Sequence, residues 1–253
     1  MTIYIYGNWK MELSREEAVQ LGSYVDNRCQ GLPGNVEVCL FPALPLLDLV
    51  SQSMRSDSTI SLGAQNIHWE LNGAYTGETS VNMLPNKCQT VLVGHSERRS
   101  MFHESDANIN RKILTISSEG LKVVLCVGEN MDQMEEKLAC SVIKGQIEAA
   151  LNGVEQFIEG QILFAYEPTW AIGSGMAASP EIVNCRAGLI KRTVRSMGVV
   201  CDSDPIPVLY GGSVNQDNAC SYLTQENIEG LLIGGASLNG ERFLNIIETA
   251  RDL

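Results

Sequence analysis

The 253-residue chain predicts a closed (β/α)8 barrel that forms a single domain over residues 1–253. Three observations favour this α/β architecture. Short apolar runs alternate with amphipathic segments from end to end, the runs number eight, and no Pro- or Ser-rich linker interrupts them. Eight such units in about 250 residues match the usual size of a closed barrel. A doubly wound open sheet is the alternative that the alternation alone leaves open.

The apolar runs predicted to be strands are short and bounded by turn residues. They cover residues 3–6, 36–41, 59–64, 90–93, 122–127, 161–166, 207–210 and 230–233. The sixth run is predicted to extend to Glu167, which would be its last residue. Because the strands of such a barrel are parallel, we expect the residues that follow them to meet on one rim, where barrel enzymes carry their chemistry.

The predicted helices begin at recognisable polar caps. Ser14 and Glu17 form a capping box, and Ser179 precedes Pro180 at another helix start. Further helices are predicted after Pro45 and over 106–116, 131–151, 179–197 and 240–251, with a single turn at 96–99.

Composition and charge exclude several classes of function. The formal net charge of −12 argues against binding to nucleic acid or to an anionic membrane. No apolar run of about 18 residues occurs, so no membrane span is predicted. The eight cysteines are scattered singly, and no His, Cys, Asp or Glu spacing resembles a metal site. We therefore expect a cytoplasmic protein with reduced thiols and no bound metal.

The connection after the sixth strand, residues 168–178, is longer than a strand-to-helix connection requires. It is apolar and contains two glycines, which favours an active-site lid. Glu167 stands directly before it, and a carboxylate beneath an apolar flap suits a general base that works away from water. A rim glutamate that caps a neighbouring helix is the structural alternative.

Two further side chains on the predicted rim suggest chemistry. His95 follows the fourth strand and precedes a helical turn, where an imidazole can donate a hydrogen bond to a carbonyl oxygen. Lys10 follows the first strand and offers a fixed positive charge to an anionic substrate. A packed histidine and a solvated lysine are the structural alternatives.

Glycines at the same rim indicate a phosphate site. They are Gly173 in the predicted lid, the pair before Ser213, and the pair Gly234–Gly235. Glycine lets backbone N–H groups approach an anion closely, and barrels often bind phosphate after strands seven and eight. Ordinary tight turns would use the same residues.

Seven short motifs share one resemblance. They are NWKM at 8–11, GAYTGE at 73–78, GHSERR at 94–99, LCVGE at 125–129, AYEPTWAIG at 165–173, YGGSV at 210–214 and GGAS at 234–237. In this order, over essentially the whole chain, they resemble the triosephosphate isomerase family.

The resemblance implies an aldose–ketose isomerase that interconverts dihydroxyacetone phosphate and D-glyceraldehyde 3-phosphate through an enediolate, without a cofactor. By the same resemblance, Glu167 is the base, neutral His95 polarises the carbonyl group, and Lys10 balances the substrate's charge beside Asn8, a substrate contact. Glu97 is expected to hydrogen bond toward Lys10.

Other positions match supporting roles of the family. Gly173, Ser213, Gly234 and Gly235 match the backbone that binds the phosphate, and Ile172 and Leu232 match the apolar cover over the base. The family is usually a homodimer whose loop after strand three inserts into the partner. Residues 65–80 match that dimerisation loop, and Thr76 matches the position that reaches the other subunit's site.

The chain also departs from the family's usual residues. Met176 stands where lysine is common, Ser174 where threonine is common, and His103 where glycine is common.

Two other functions remain open from the sequence: a phosphate-binding aldolase that forms a Schiff base on Lys10, and an idle homologue with a binding or scaffold role.

Overall fold

A closed barrel of eight parallel strands forms the centre of the molecule in a computed structural model, which describes residues 2–172 and 177–253. The strands are β1 Ile3–Asn8, β2 Val36–Phe41, β3 Ser61–Ala64, β4 Cys88–Val93, β5 Lys122–Val127, β6 Ile162–Tyr166, β7 Val208–Tyr210 and β8 Gly230–Ile233. Each strand pairs with its neighbours in sequence, and β1 pairs with both β2 and β8. The predicted (β/α)8 barrel is therefore confirmed, and the open sheet is wrong.

Helices surround the barrel. They are α1 Arg15–Arg28, α2 Leu44–Ser53, α3 Ser96–Met101, α4 Asp106–Ser118, α5 Met131–Glu135, α6 Ala139–Ala150, α7 Pro180–Met197, α8 Ala219–Leu223 and α9 Gly240–Arg251. Short 3₁₀ turns occur at Val81–Met83, Thr169–Ala171 and Gly235–Leu238. No helix within the described ranges has the length and apolar character that a membrane crossing needs.

The predicted helix caps are present. The Ser14 hydroxyl accepts from the Glu17 N–H at 3.4 Å, and the Glu17 carboxylate accepts from the Ser14 N–H at 2.9 Å. Ser179 caps α7 by accepting from Ile182 N–H at 3.4 Å, and the C-cap residue that follows α7 is Gly198, whose φ is 72°.

Two apolar layers hold the strands in place. One fills the barrel interior and includes the rings of Tyr4, Tyr6 and Phe41. The other lies between the strands and the helices, where apolar faces such as Ile109 and Ile113 of α4 pack. Because this packing makes the strands rigid, the residues that follow them on the rim are held in fixed positions.

The bounds of five predicted strands and of one long predicted helix differ from the observed ones, and two of these differences bear on the site or on the chain's path. The single helix over 131–151 is broken between α5 and α6, because Lys137 takes a left-handed backbone with a φ of 60° that an α-helix cannot contain. Strand β6 ends at Tyr166 and not at Glu167, although the Glu167 N–H still donates to the Val127 carbonyl at 2.8 Å.

His103 also has a left-handed backbone, with a φ of 53°. Glycine adopts this conformation without strain, whereas a side chain at such a φ is strained. The local backbone therefore gives a physical reason for the glycine that is usual at this position in the resembled family.

Candidate active site

Glu167 and His95 meet on the rim at the carboxyl ends of the strands. Glu167 follows β6, and His95 follows β4 after a turn at Gly94, whose φ is 71°. The distance between His95 Nε2 and Glu167 Oε1 is 3.2 Å. Both side chains are buried, with 2% of Glu167 and 6% of His95 exposed. The structure therefore brings the predicted base and the predicted electrophile into direct contact.

The hydrogen bonds of His95 determine which nitrogen carries its proton. His95 is the N-cap residue of α3, and its Nδ1 accepts from the Glu97 N–H at 3.3 Å. A ring nitrogen that accepts a hydrogen bond carries no proton, so this contact places the ring proton on Nε2. The Nε2–H group is thus the donor that faces Glu167.

The other oxygen of Glu167 is held by the start of α3. Its Oε2 accepts from the Ser96 N–H at 2.9 Å. Free N–H groups at a helix N-terminus favour a negative charge, so this contact holds the carboxylate in place. Ser96 was missed by the sequence reasoning, since a backbone donor leaves no signal in its side chain.

Two glycines make room for Glu167. A Cβ at Gly128 would lie 2.0 Å from the Glu167 carbonyl oxygen, and a Cβ at Gly211 would lie 2.9 Å from Glu167 Cγ. Side chains at either position would displace the base. Gly128, the glycine of the LCVGE motif, therefore helps to position Glu167.

Lys10 reaches the same rim from β1 through a left-handed backbone with a φ of 50°. Its N–H donates to Asn8 Oδ1 at 3.1 Å, its carbonyl accepts from Gln65 Nε2 at 2.9 Å, and its Nζ lies 2.5 Å from Glu97 Oε1. These bonds hold a strained residue in place, as is common at functional sites. The predicted contact between Lys10 and Glu97 is therefore present in the structure.

These side chains border a cavity of about 250 Å³. It is lined by Asn8, Lys10, His95, Glu167, Ile172, Gly211, Gly212, Ser213, Val214, Leu232, Gly234, Gly235 and Ala236. A Cβ at Gly235 would meet no atom within 4 Å. Packing alone therefore does not explain the glycine at 235, whereas close approach of a ligand would.

The described ends of the predicted lid are tied to the rim. Upstream, the Trp170 indole donates to Glu129 Oε1 at 3.3 Å, and the Ser213 hydroxyl donates to the Ala171 carbonyl at 2.5 Å. Downstream, the Ala178 N–H donates to the Tyr210 hydroxyl at 3.1 Å. Gly173, Ser174 and Met176 lie outside the described residues.

Thr76 is predicted to reach the partner's site and not this cavity. Thr76 is exposed on loop 65–80 and is not part of the cavity lining. Within residues 2–172 and 177–253, no three His, Cys, Asp or Glu side chains gather in a way that could hold a metal ion.

Comparison with known proteins assigns the chain to a family. The profile of the family described as triosephosphate isomerase matches residues 3–250. The chain is similar to the triosephosphate isomerase of Lawsonia intracellularis, with 39% identity covering 98% of both chains. It is also similar to that of Prosthecochloris aestuarii, with 40% identity covering 97% of both chains. On this evidence, the chain belongs to the triosephosphate isomerase family.

Proposed function

We propose that this protein interconverts dihydroxyacetone phosphate and D-glyceraldehyde 3-phosphate by moving a proton between two neighbouring carbons. The observation that carries this function is the contact of His95 Nε2 with the Glu167 carboxylate at 3.2 Å, beside a cavity lined by glycines. A base and a neutral hydrogen-bond donor at this separation can act on adjacent atoms of one small substrate.

In the proposed reaction, Glu167 takes a proton from the carbon beside the carbonyl group. The Nε2–H of His95 donates to the carbonyl oxygen, which becomes negatively charged as the enediolate forms. His95 gives its Nε2 proton to the charged oxygen and takes up the hydroxyl proton of the first carbon, which becomes the new carbonyl carbon. Glu167 returns its proton to the former carbonyl carbon. A positioned base contributes about 10²–10⁴-fold in rate, and one well-placed donor to a developing oxyanion about 10²–10³-fold. A bound substrate must displace the contact between Glu167 and His95, because its reacting atoms would occupy the space between these two side chains.

We assign the phosphate group to the glycine side of the cavity. Ser213, Gly234 and Gly235 line it, and the predicted contact Gly173 lies outside the described residues. Backbone N–H groups can bind an anion even on a protein with a net charge of −12. Lys10 adds a positive charge near Asn8, and the ion pair with Glu97 keeps its ammonium group on the rim.

Residues 168–178 are proposed to cover the substrate. Ile172 and Leu232 line the cavity beside Glu167 and supply its apolar wall. Exclusion of water strengthens the hydrogen bond from His95 and protects a phosphate-bearing enediolate from side reactions.

We further propose a homodimer that uses loop 65–80. Large apolar side chains are exposed near this loop and near the Lys10–Glu97 pair: Met11 at 93%, Met83 at 67%, Met101 at 70% and Phe102 at 66%. Such a group of exposed apolar residues is typical of an interface. In the dimer, Thr76 is proposed to reach toward the partner's site.

Sedimentation velocity tests the dimer. The wild-type chain should sediment as a dimer, whereas Met101→Lys should place a charge in the interface and release monomers. Ile158, which is 71% exposed and precedes β6 at the opposite end of the barrel, supplies the control: Ile158→Lys should remain dimeric. A monomeric wild type would contradict the proposal.

The activity is tested by isomerisation of glyceraldehyde 3-phosphate, coupled to reduction of the dihydroxyacetone phosphate formed. Wild-type turnover should fall by about 10²–10⁴-fold in Glu167→Gln, because the amide cannot accept the proton. Circular dichroism verifies that the variant is folded. A folded wild type without turnover would indicate an idle homologue, and borohydride trapping of substrate on Lys10 would indicate an aldolase.

A cytoplasmic location is proposed on the basis of the thiols. All eight cysteines are unpaired, as is usual in a reducing compartment.

A further inference from the structure

Two tyrosines hold the downstream end of the segment 168–178. The Ala178 N–H donates to the Tyr210 hydroxyl at 3.1 Å, and the Ala178 carbonyl accepts from the Tyr222 hydroxyl at 2.7 Å. Ala178 is only 1% exposed, so water does not compete for these bonds. Both polar groups of one backbone residue are therefore fixed by side chains from other parts of the fold.

The two tyrosines are held firmly themselves. Tyr210 ends β7 and Tyr222 lies in α8, and their rings stack with centroids 4.3 Å apart. Burial raises the pKa of both hydroxyl groups, so both keep their protons at neutral pH. A Cβ at Gly212 would lie 2.2 Å from the Tyr210 hydroxyl, so the glycine motif that lines the cavity also makes room for this contact.

The same connection after β7 holds the upstream part of the segment, since the Ser213 hydroxyl donates to the Ala171 carbonyl. The described ends of the predicted lid are thus held upstream by the loop that is proposed to bind phosphate and downstream by the last residue of β7. Tyr222 adds α8 to this arrangement, and it does not line the cavity. Its hydroxyl group contacts the lid through Ala178, while its ring stacks on Tyr210.

We propose that Tyr222 is a positioning residue that fixes the downstream end of the lid, and so controls how well the enediolate is protected during turnover. This inference rests on the proposed isomerase function. Without the Tyr222 hydroxyl, the Ala178 carbonyl would be buried and lack its donor, which destabilises the arrangement of the loop seen here.

A chemical side reaction reports on this protection. An unprotected enediolate can expel its phosphate: the electron pair of the enediolate forms a new carbon–carbon double bond while the carbon–oxygen bond to phosphate breaks. The resulting enol takes up a proton at carbon and loses its hydroxyl proton to become 2-oxopropanal, so no oxidant or reductant is needed. The ratio of inorganic phosphate released to triose phosphate isomerised therefore measures how well the lid is positioned.

The test is Tyr222→Phe, which keeps the ring stack and removes only the hydroxyl group. We expect the ratio of phosphate release to isomerisation to rise by about tenfold, from the loss of one buried hydrogen bond. Both reactions occur in the same folded molecules, so the ratio does not depend on the folded fraction of the preparation.

Tyr6→Phe is the matched control. Tyr6 is fully buried, and its hydroxyl donates to Glu37 Oε1 at 2.7 Å, away from the lid. This variant should leave the ratio unchanged. An unchanged ratio in Tyr222→Phe, or an equal rise in both variants, would overturn the inference while the isomerase function stands. An inactive wild type would instead remove the function on which the inference rests.

Discussion

At the residue scale, the position of Glu167 depends on two glycines that leave space for it and on the groups that contact its carboxylate. Gly128 and Gly211 leave the space that the glutamate occupies, while the Ser96 N–H donates to its Oε2 and His95 Nε2 lies 3.2 Å from its Oε1. A carboxylate held at both oxygens has few alternative rotamers. These contacts define the position of the base before a substrate displaces the His95 contact.

Gly235→Ala tests the assignment of the phosphate side. The new methyl group would meet no protein atom, so the free energy of unfolding should change by less than about 0.5 kcal/mol. In the cavity, however, the methyl group would crowd the phosphate, and we expect the KM to rise about tenfold or more. The measurements are steady-state kinetics and urea unfolding.

Gly145→Ala provides the comparison. Gly145 lies in α6 and also has no atom near its missing Cβ, but it is not part of the cavity lining. This variant should be more stable by about 0.5–1 kcal/mol, through helix propensity, with an unchanged KM. A normal KM in Gly235→Ala would place the phosphate elsewhere.

At the scale of elements, the short helix α3 organises the site. Its N-cap is His95, and its first N–H binds Glu167. A helix of six residues has little stability of its own, so tertiary contacts must hold it. Arg99 does so by donating to the Gly94 carbonyl at 2.7 Å and pairing with Asp106 of α4 at 2.6 Å.

A buried ion pair also joins this region to α4. Lys112 of α4 pairs with Glu104, and its Nζ donates to Asn66 Oδ1 at 2.6 Å. Arg98 of α3 lies 3.3 Å from the same Glu104 carboxylate. Asn66 lies in the proposed dimerisation loop, so this cluster connects α3, α4 and that loop.

Lys112→Met should therefore destabilise the protein strongly. It would leave Glu104 buried without its main partner, and we expect a loss of about 3–5 kcal/mol in the free energy of unfolding, measured with urea. Lys144→Met is the control, because the pair of Lys144 with Glu148 is about half exposed and should matter by less than about 0.5 kcal/mol. Similar losses in both variants would show that burial does not distinguish the two pairs.

At the scale of the whole molecule, closure of the barrel brings distant residues together and also separates the cysteines into two groups. Those on strands or against the barrel are buried, and those on outer helices and loops are exposed. The buried group is Cys29, Cys39, Cys88 and Cys126, and the exposed group is Cys140, Cys185, Cys201 and Cys220. Burial raises the pKa of Cys29 and Cys88 to about 12.

Thiol titration checks this separation. Thiolate is the reactive form, so in the folded protein only the four exposed cysteines should react rapidly with a chromogenic disulfide reagent at pH 8. All eight should react in guanidinium chloride. A fifth rapidly reacting thiol in the folded protein would show that the barrel opens to reagent.

Much of the fold follows from local patterns in the chain. Strand residues could be identified because their apolar runs are short and regularly spaced, and β2, β5 and β8 have the predicted bounds. The break at Lys137 could not be identified from the sequence, because the surrounding residues have the composition of a helix. Only packing selects a left-handed backbone at Lys137.

The candidate site likewise has features that the sequence predicts and features that only the structure shows. The sequence by itself determined the barrel and placed Glu167 and His95 at strand ends, because parallel strands bring their carboxyl ends to one rim. Only the tertiary structure decided that Ser96 holds Glu167, and that Tyr222 holds Ala178. These contacts join backbone groups to side chains that are far apart in the chain. They follow no periodicity, so only the packing of whole elements brings their atoms within hydrogen-bonding distance.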